Sequence, residues 1–539
     1  MAQNLLEIKN LTTIFSDKDR KEVALSNISM DIPSRSIVGL VGQSGSGKSI
    51  TAMSILQLLY NKKHITTGEI LYKNQNLLKL NTKQLEQIRG NHISMIFQEP
   101  MTSLNPVYQV GHQVEEVLLK NKQLNAKERT KMVLRIFKEM GIHDPEHCYY
   151  SYPHQLSGGL RQRIMIAMAM ITKPDLLIAD EPTTSLDVTI QLQILTQLHL
   201  LKETYGTSVL LITHDLGIVA NYCDYVYVMY KGQIVEHGET KHIIARPSHP
   251  YTKQLIQARL TIPAQGYVPA AESTKNIFTN EPILKICDLY KEYSNDSSVS
   301  FLKGKSLPAN RNINLSLYPG EILAIVGESG SGKSTLGYQI AGLLQPNSGK
   351  IFYKGTEITS LPQKERRRLH KEIQIVFQDP LASLDPHMDV YHIIEEPLLV
   401  YNLYPDKKER EHNIYQMMAQ VGIEKELSHR LPSQLSGGQR QRIGIARALI
   451  INPSIIVWDE PVSALDVLLE QQIIDLIQKL RKLYGFSSIF ITHDMAVVYH
   501  LAHRACVMNQ GEIVEIATKE QLFTNPKSEY TKQLLDSIL

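Results

Sequence analysis

The sequence predicts an α/β fold that occurs twice in one chain, and three observations carry this. A glycine-rich octet, Gly42-Gln-Ser-Gly-Ser-Gly47-Lys48-Ser49, lies between the short apolar run Ser36–Val41 and an apolar stretch of helical spacing from Ile50. The octet returns as Gly327-Glu-Ser-Gly-Ser-Gly332-Lys333-Ser334, between Glu321–Val326 and a similar stretch from Thr335. Later landmarks recur at a fixed offset of 279 residues, from Ser157 to Ser436, Asp180 to Asp459 and His214 to His493. A period this long exceeds any solenoid repeat, so each copy is expected to be a complete domain with its own core.

Strand, glycine-rich loop and helix in that order make the setting of a phosphate-binding P-loop. Glycines at Gly42, Gly45 and Gly47, and at Gly327, Gly330 and Gly332, let the loop adopt backbone conformations closed to other residues. Backbone N–H groups around Ser44 and Ser329 and at the helix start then point at phosphate oxygens. Lys48 and Lys333 are placed to reach the β- and γ-phosphates, and Ser49 and Ser334 to ligate magnesium. A Gly/Ser turn ending by chance in Lys-Ser explains one octet poorly and two in the same context worse.

The apolar strand Leu176-Leu-Ile-Ala-Asp180-Glu181-Pro182 ends in two carboxylates, as does Ile455-Ile-Val-Trp-Asp459-Glu460-Pro461. A strand that delivers Asp to its carboxyl end supplies a second contact to the metal, and the adjacent Glu can orient or deprotonate the attacking water. Leu156-Ser157-Gly158-Gly159 and Leu435-Ser436-Gly437-Gly438-Gln439 precede helices beginning Arg161-Gln-Arg-Ile and Arg440-Gln-Arg-Ile. Ser-Gly-Gly at a helix start is a cap on its own, but it also makes a second anion-binding surface.

A chain of 539 residues with 43% hydrophobic and 21% charged residues is an ordinary globular chain too long for one core. The net charge of +3 gives no electrostatic case for nucleic acid. Cys148, Cys223, Cys287 and Cys506 show no paired spacing, so neither a zinc ribbon nor an iron–sulfur run is expected. The N-terminus lacks a signal-peptide layout, and no apolar stretch is long enough to span a bilayer. The expected domains are residues 1–260 and 281–539, joined by a linker over 261–280 that is rich in Pro, Ala and small polar residues.

The ordered set of P-loops, Gln98 and Gln378, Leu-Ser-Gly-Gly segments, Asp-Glu strands, Ser185-Leu-Asp187 and Ala464-Leu-Asp466 turns, and His214 and His493 resembles the ATP-binding subunits of ABC transporters. The resemblance covers nearly the whole chain. It implies tandem P-loop NTPase domains, each a RecA-like core with an antiparallel β subdomain and a helical subdomain. It also implies two composite ATP sites. Lys48, Ser49, Gln98, Asp180, Glu181 and His214 would be completed by Ser436, Gly437, Gly438 and Gln439. Lys333, Ser334, Thr335, Gln378, Asp459, Glu460 and His493 would be completed by Ser157, Gly158 and Gly159. In the family the His contacts the γ-phosphate, the Gln meets magnesium and water, and an aromatic residue after the first strand stacks on adenine, here Phe15 and Tyr293. Leu160 after the first signature and Ser185 in the first turn depart from the commoner residues. Trp458 stands where small residues are common.

Phe97-Gln-Glu-Pro-Met-Thr-Ser-Leu-Asn-Pro106, its second copy Phe377–Pro386, His249-Pro-Tyr-Thr-Lys-Gln-Leu255 and Glu529-Tyr-Thr-Lys-Gln-Leu534 are similar to the paired ATPases of dipeptide and oligopeptide importers, here fused. That resemblance implies two transmembrane permeases and, through them, an extracytoplasmic solute-binding protein as partners, with the chain peripheral on the cytoplasmic face of the membrane. ATP and Mg2+ are the implied cofactors, and no iron–sulfur cluster is expected because no cysteine cluster follows His-Pro-Tyr-Thr. A twin-cassette ATPase acting on ribosomes or nucleic acid is the alternative. The Ser-Leu-Asn-Pro segments, the near-neutral charge and the lack of a long charged arm or zinc-binding Cys pairs weigh against it.

Overall fold

Short apolar runs such as Ile37–Val41 and Ile322–Val326, buried at every position, suit strands covered on both sides, which is the condition of a parallel sheet. The computed structural model describes residues 4–17, 20–59, 64–98, 103–119, 124–183, 188–258, 281–293, 308–463 and 465–536. The expected linker, the Ser185-Leu-Asp187 turn and Ala464 lie outside these residues. The chain divides into two compact units at Arg259 and Leu260.

In the first unit, a six-stranded sheet runs in the order Gln233–Glu239, Tyr225–Tyr230, Ile37–Val41, Ser208–Thr213, Leu176–Asp180, Ile93–Ile96. Ile37–Val41 is parallel to both neighbours, Leu176–Asp180 is parallel to Ser208–Thr213 and Ile93–Ile96, and only the edge hairpin is antiparallel. Five parallel strands therefore end side by side. The P-loop, Glu181, His214 and Gln98 each follow one of them, the usual place for a ligand in such a sheet.

Alternation along the strands sorts the two faces. Leu176 and Ile178 pack with Ala52 and Ile55 of the P-loop helix, Lys48–Ile55, and with Leu6, Ile8 and Ile70 of a four-stranded antiparallel sheet. Leu177 and Ala179 face the other way, onto Ile164 and Ala167 of helix Gly158–Met170 and onto Val114 and Phe137 of a helical arm made of Val110–Leu118 and Ala126–Glu139. By the same alternation, Asp180 ends on the P-loop side. Asn125 and Glu128 close a capping box at the start of the arm helix Ala126–Glu139.

The second unit repeats the plan, with sheet order Ile373–Val376, Ile455–Asp459, Ser487–Thr492, Ile322–Val326, Arg504–Asn509, Glu512–Thr518. Ile455 and Val457 share a core with Leu336 and Ile340 of helix Lys333–Ile340, while Ile456 and Trp458 point to the helical side. Trp458 is 0% exposed. Its Nε1 donates to Ser488 Oγ at 3.1 Å. Among the described residues no helix is long and apolar enough to cross a membrane.

Candidate functional site

Each P-loop is shaped by positions that only glycine fills. Gly47 and Gly332 open their helices with φ of 106° and 97°, in the left-handed region. A Cβ on Gly42 would lie 2.2 Å from Met229 O, and one on Gly327 would lie 2.1 Å from Met508 O. The lysines curl back onto their own loops: Lys48 Nζ donates to Gly42 O at 2.6 Å and Gln43 O at 3.0 Å, and Lys333 Nζ to Gly327 O at 2.7 Å and Glu328 O at 2.8 Å. Burial lowers Lys48 from its ordinary range, against the pull of Glu181 and Asp180. Ser46 Oγ and Ser331 Oγ are buried with no hydrogen-bond partner among the described residues.

Beside each loop three side chains from three strand ends meet. Gln98 Nε2 donates to Glu181 Oε2 at 3.0 Å, and His214 Nδ1 lies 3.4 Å from Glu181 Oε1. Gln378 Nε2 donates to Glu460 Oε2 at 2.9 Å, and His493 Nδ1 lies 3.5 Å from the same oxygen. Both glutamates sit at positive φ, 46° at Glu181 and 45° at Glu460. A non-glycine residue in that region costs about 1–2 kcal/mol. Tertiary hydrogen bonds hold it there, from Glu181 N to Ile212 O at 2.9 Å and from Glu460 N to Ile491 O at 3.0 Å. The strain turns the carboxylate out of the strand line toward Gln and His.

Burial pushes Glu460 up, but the hydrogen bond and charge of His493, with Lys333, outweigh it and hold the carboxyl below its usual range. Burial pushes His214 down, yet its contact with Glu181 leaves it raised overall. Asp180 and Asp459 are raised by burial, against the lowering effect of hydrogen bonds from Ser49 and from Ser334. Ser334 Oγ donates to Asp459 Oδ1 at 2.8 Å, while Asp180 Oδ1 is buried with no partner among the described residues. A dry carboxylate beside a hydroxyl, with an oxygen left over, fits a hard divalent cation. Ser49, Asp180 and Gln98 in one half, and Ser334, Asp459 and Gln378 in the other, are the donors available to it.

The signature residues do not join their own half's cluster. Ser157 caps helix Gly158–Met170 by accepting from Leu160 N at 3.3 Å. Ser436 caps Gly437–Leu449 in the same way, accepting from Gln439 N at 3.3 Å, and Gln439 Oε1 accepts from Ser436 N at 2.9 Å to complete a capping box. A Cβ on Gly159 would press on Ile190 at 3.0 Å, and one on Gly438 on Leu469 at 3.1 Å. Of the two aromatics, Tyr293 is exposed and its hydroxyl meets Thr335 Oγ1 at 3.2 Å, on the P-loop helix. Phe15 lies edge-on to His64 at 6.2 Å across neighbouring strands.

Sequence reasoning missed Tyr338, whose hydroxyl hydrogen-bonds Asp459 from the P-loop helix and whose own pKa rises to about 12, chiefly through burial. The signal was available, since Tyr338 stands five residues after Lys333, a little over one helical turn along, where the first copy has Met53.

Residues 25–184 and 310–463 match the family model described as ABC transporter, and residues 235–282 and 514–539 that of the oligopeptide/dipeptide transporter C-terminal region. The chain belongs to the ABC transporter family and carries its ATP-hydrolysing cassette twice. The glutathione import ATP-binding protein GsiA of Escherichia coli (strain K12) is 39% identical to it over 562 residues, covering 100% of this chain and 90% of that protein. The peptidoglycan transport ATP-binding protein YejF of Agrobacterium fabrum (strain C58 / ATCC 33970) is 40% identical over 535 residues, covering 99% of this chain and 96% of its own. A solved dimeric ATP-binding cassette in a post-hydrolysis state with ADP and Pi is similar at 30% identity, over 44% of this chain and 98% of that one, with a TM-score of 0.40.

Proposed function

We propose that the chain energises an importer of peptides or peptide-like solutes, hydrolysing ATP at two sites. What carries the hydrolytic assignment is the cluster formed twice, in which Gln and His converge on a strained Glu beside a buried Asp and a P-loop. In each half, Glu181 or Glu460 orients a water and accepts its proton as the water oxygen bonds the γ-phosphorus. The bond from that phosphorus to the bridging oxygen breaks, and ADP leaves. Lowered by His493, Glu460 meets the water as a carboxylate rather than an acid. Lys48 and Lys333 give up their loop carbonyls for phosphate oxygens. Magnesium, when bound by the donors named above, supplies charge neutralisation at the phosphates. The family's motif order supports completion of each site by the other half's signature, so that ATP closes the two halves together. Their covalent linkage removes the dimerisation step.

Homology to importer ATPases supports membrane permeases as partners, with a solute-binding protein behind them. In the second half a cavity of about 290 Å³ is lined by Leu343, Pro397, Val400, Tyr401, Arg447 and Phe377, the residue before Gln378 in the chain. We assign it to a cytoplasmic helix of a permease, whose push would reach Glu460 through Gln378. Glu181→Gln with Glu460→Gln should retain MgATP and lower turnover at least about a hundred-fold, the usual contribution of a general base. Phosphate release near the parent rate would remove the assigned roles.

A further inference from the structure

The segments around Tyr251 and Tyr530 take no part in these clusters, yet each sends one side chain to a phosphate loop. Tyr251's hydroxyl accepts the backbone N–H of Gln43 at 2.9 Å, and Tyr530's accepts that of Glu328 at 3.1 Å. Gln43 and Glu328 are the second residues of their octets. The carbonyl of the same residue holds the loop lysine, with Lys48 Nζ 3.0 Å from Gln43 O and Lys333 Nζ 2.8 Å from Glu328 O. One loop residue thus joins a C-terminal tyrosine to the lysine that faces phosphate.

The tyrosines are held in place from behind. Glu236 accepts from Ser248 N at 2.7 Å, Ser248 Oγ at 2.6 Å and His249 N at 3.1 Å, fixing the turn before Tyr251. Glu515 accepts from Lys527 N and Ser528 N, both at 2.9 Å, before Tyr530. The ring surroundings are not repeated: Tyr251 packs on Tyr230 at 4.3 Å between ring centroids, whereas Asn509 stands at the matching place in the second half. The two halves share the hydroxyl contact and not the ring packing. Burial raises Tyr251 to about 12, so its hydroxyl stays neutral.

A second support grips the same loops farther along, from Gly232 N to Ser46 O at 2.9 Å and from Gly511 N to Ser331 O at 3.1 Å. Between the two grips, Gly45 and Gly330 have left-handed φ and open space where a Cβ would be. The ends of each loop are fixed and its middle can follow a phosphate.

We propose that Tyr251 and Tyr530 are positioning residues for ATP: each hydroxyl fixes the loop peptide that carries the lysine, so the C-terminal region of each half sets nucleotide affinity. This rests on the octets being ATP loops. Tyr251→Phe with Tyr530→Phe in the full chain keeps both rings and removes both hydroxyl acceptors. The expected result is a KM for MgATP raised about three- to ten-fold, the worth of one neutral hydrogen bond per site. The kcat should stay within about two-fold, since the loop contact exists before the chemical step. An unchanged KM overturns the proposal, with or without a fall in thermal midpoint. Glu236→Gln with Glu515→Gln loosens the turn behind each tyrosine and should also raise KM; a parent-like KM there counts against the proposal too. Lys48→Ala with Lys333→Ala separates the two levels. MgATP binding at parent affinity in that variant refutes the octets as ATP loops, whereas lost binding there alongside a parent-like tyrosine variant refutes only the tyrosine role.

Discussion

In the first half Gln98 and His214 reach Glu181 at 3.0 and 3.4 Å; in the second, Gln378 and His493 reach Glu460 at 2.9 and 3.5 Å. Both glutamates share the same strained backbone. One layer behind, the halves part. Asp459 has Ser334 and Tyr338 as partners, while Asp180 has Ser49 and one buried oxygen without a partner among the described residues. Trp458 fills the helical-side core where the first half has Ala179. Gln439 closes a capping box that Leu160 cannot, because leucine has no acceptor for the Ser157 N–H. Packing and capping can be solved again with other residues, because many side chains fill a volume or end a helix. A carboxylate that must meet water, an amide and an imidazole at once has few substitutes.

The largest difference between the halves lies in the core. Trp458→Ala should destabilise the second half by about 3–5 kcal/mol, as large-to-small changes at fully buried aromatics do. A loss below about 1 kcal/mol in urea unfolding would mean the core collapses around the gap. Tyr338→Phe probes the site difference. In a Glu181→Gln background, where turnover comes from the second site, it should change kcat or metal dependence about three- to ten-fold, the worth of one hydrogen bond. With Glu460→Gln as the background, it should change nothing, and equal effects in both backgrounds would end the case for unequal sites. Smaller still, Gln439→Leu should remove about 0.5–1 kcal/mol from the second half by opening its capping box, whereas Leu160→Gln should add a similar amount to the first. Thermal unfolding of the two variants would show whether the caps differ as described.

The mildest test uses pH. His214 is raised in the folded state, so its contribution to stability is full below its unfolded value of about 6.5 and is lost as pH rises through the higher folded value. The gap in thermal midpoint between the parent and His214→Asn should therefore be widest under mildly acidic conditions and close toward alkaline pH. A gap that widens with pH would reverse the sign and remove the Glu181 contact as its cause.

Much of the site was legible in advance because its parts are local. A P-loop announces itself through glycines that permit positive φ, as at Gly47 and Gly332, and a buried strand ending in Asp-Glu is visible as an apolar run with a charged end. The strain at Glu181 and Glu460 was not legible, since no glycine marks it and it is imposed by carbonyls of a neighbouring strand, Ile212 and Ile491. Nor was the reach of Tyr251 to Gln43, although Tyr251 and Tyr530 repeat at the offset shared by Asp180 and Asp459.

The duplication, the two phosphate loops and the identity of each carboxylate follow from the order of residues, because they depend on backbone freedom and on the period of a strand within a few residues. Which strand ends lie together is set by the order of strands in the folded sheet. Ser208–Thr213 sits between Ile37–Val41 and Leu176–Asp180, and that order brings His214 to Glu181. Such pairings join residues far apart in the chain, and they are fixed by how the two faces of one sheet bury their side chains, a property of the whole core rather than of any segment.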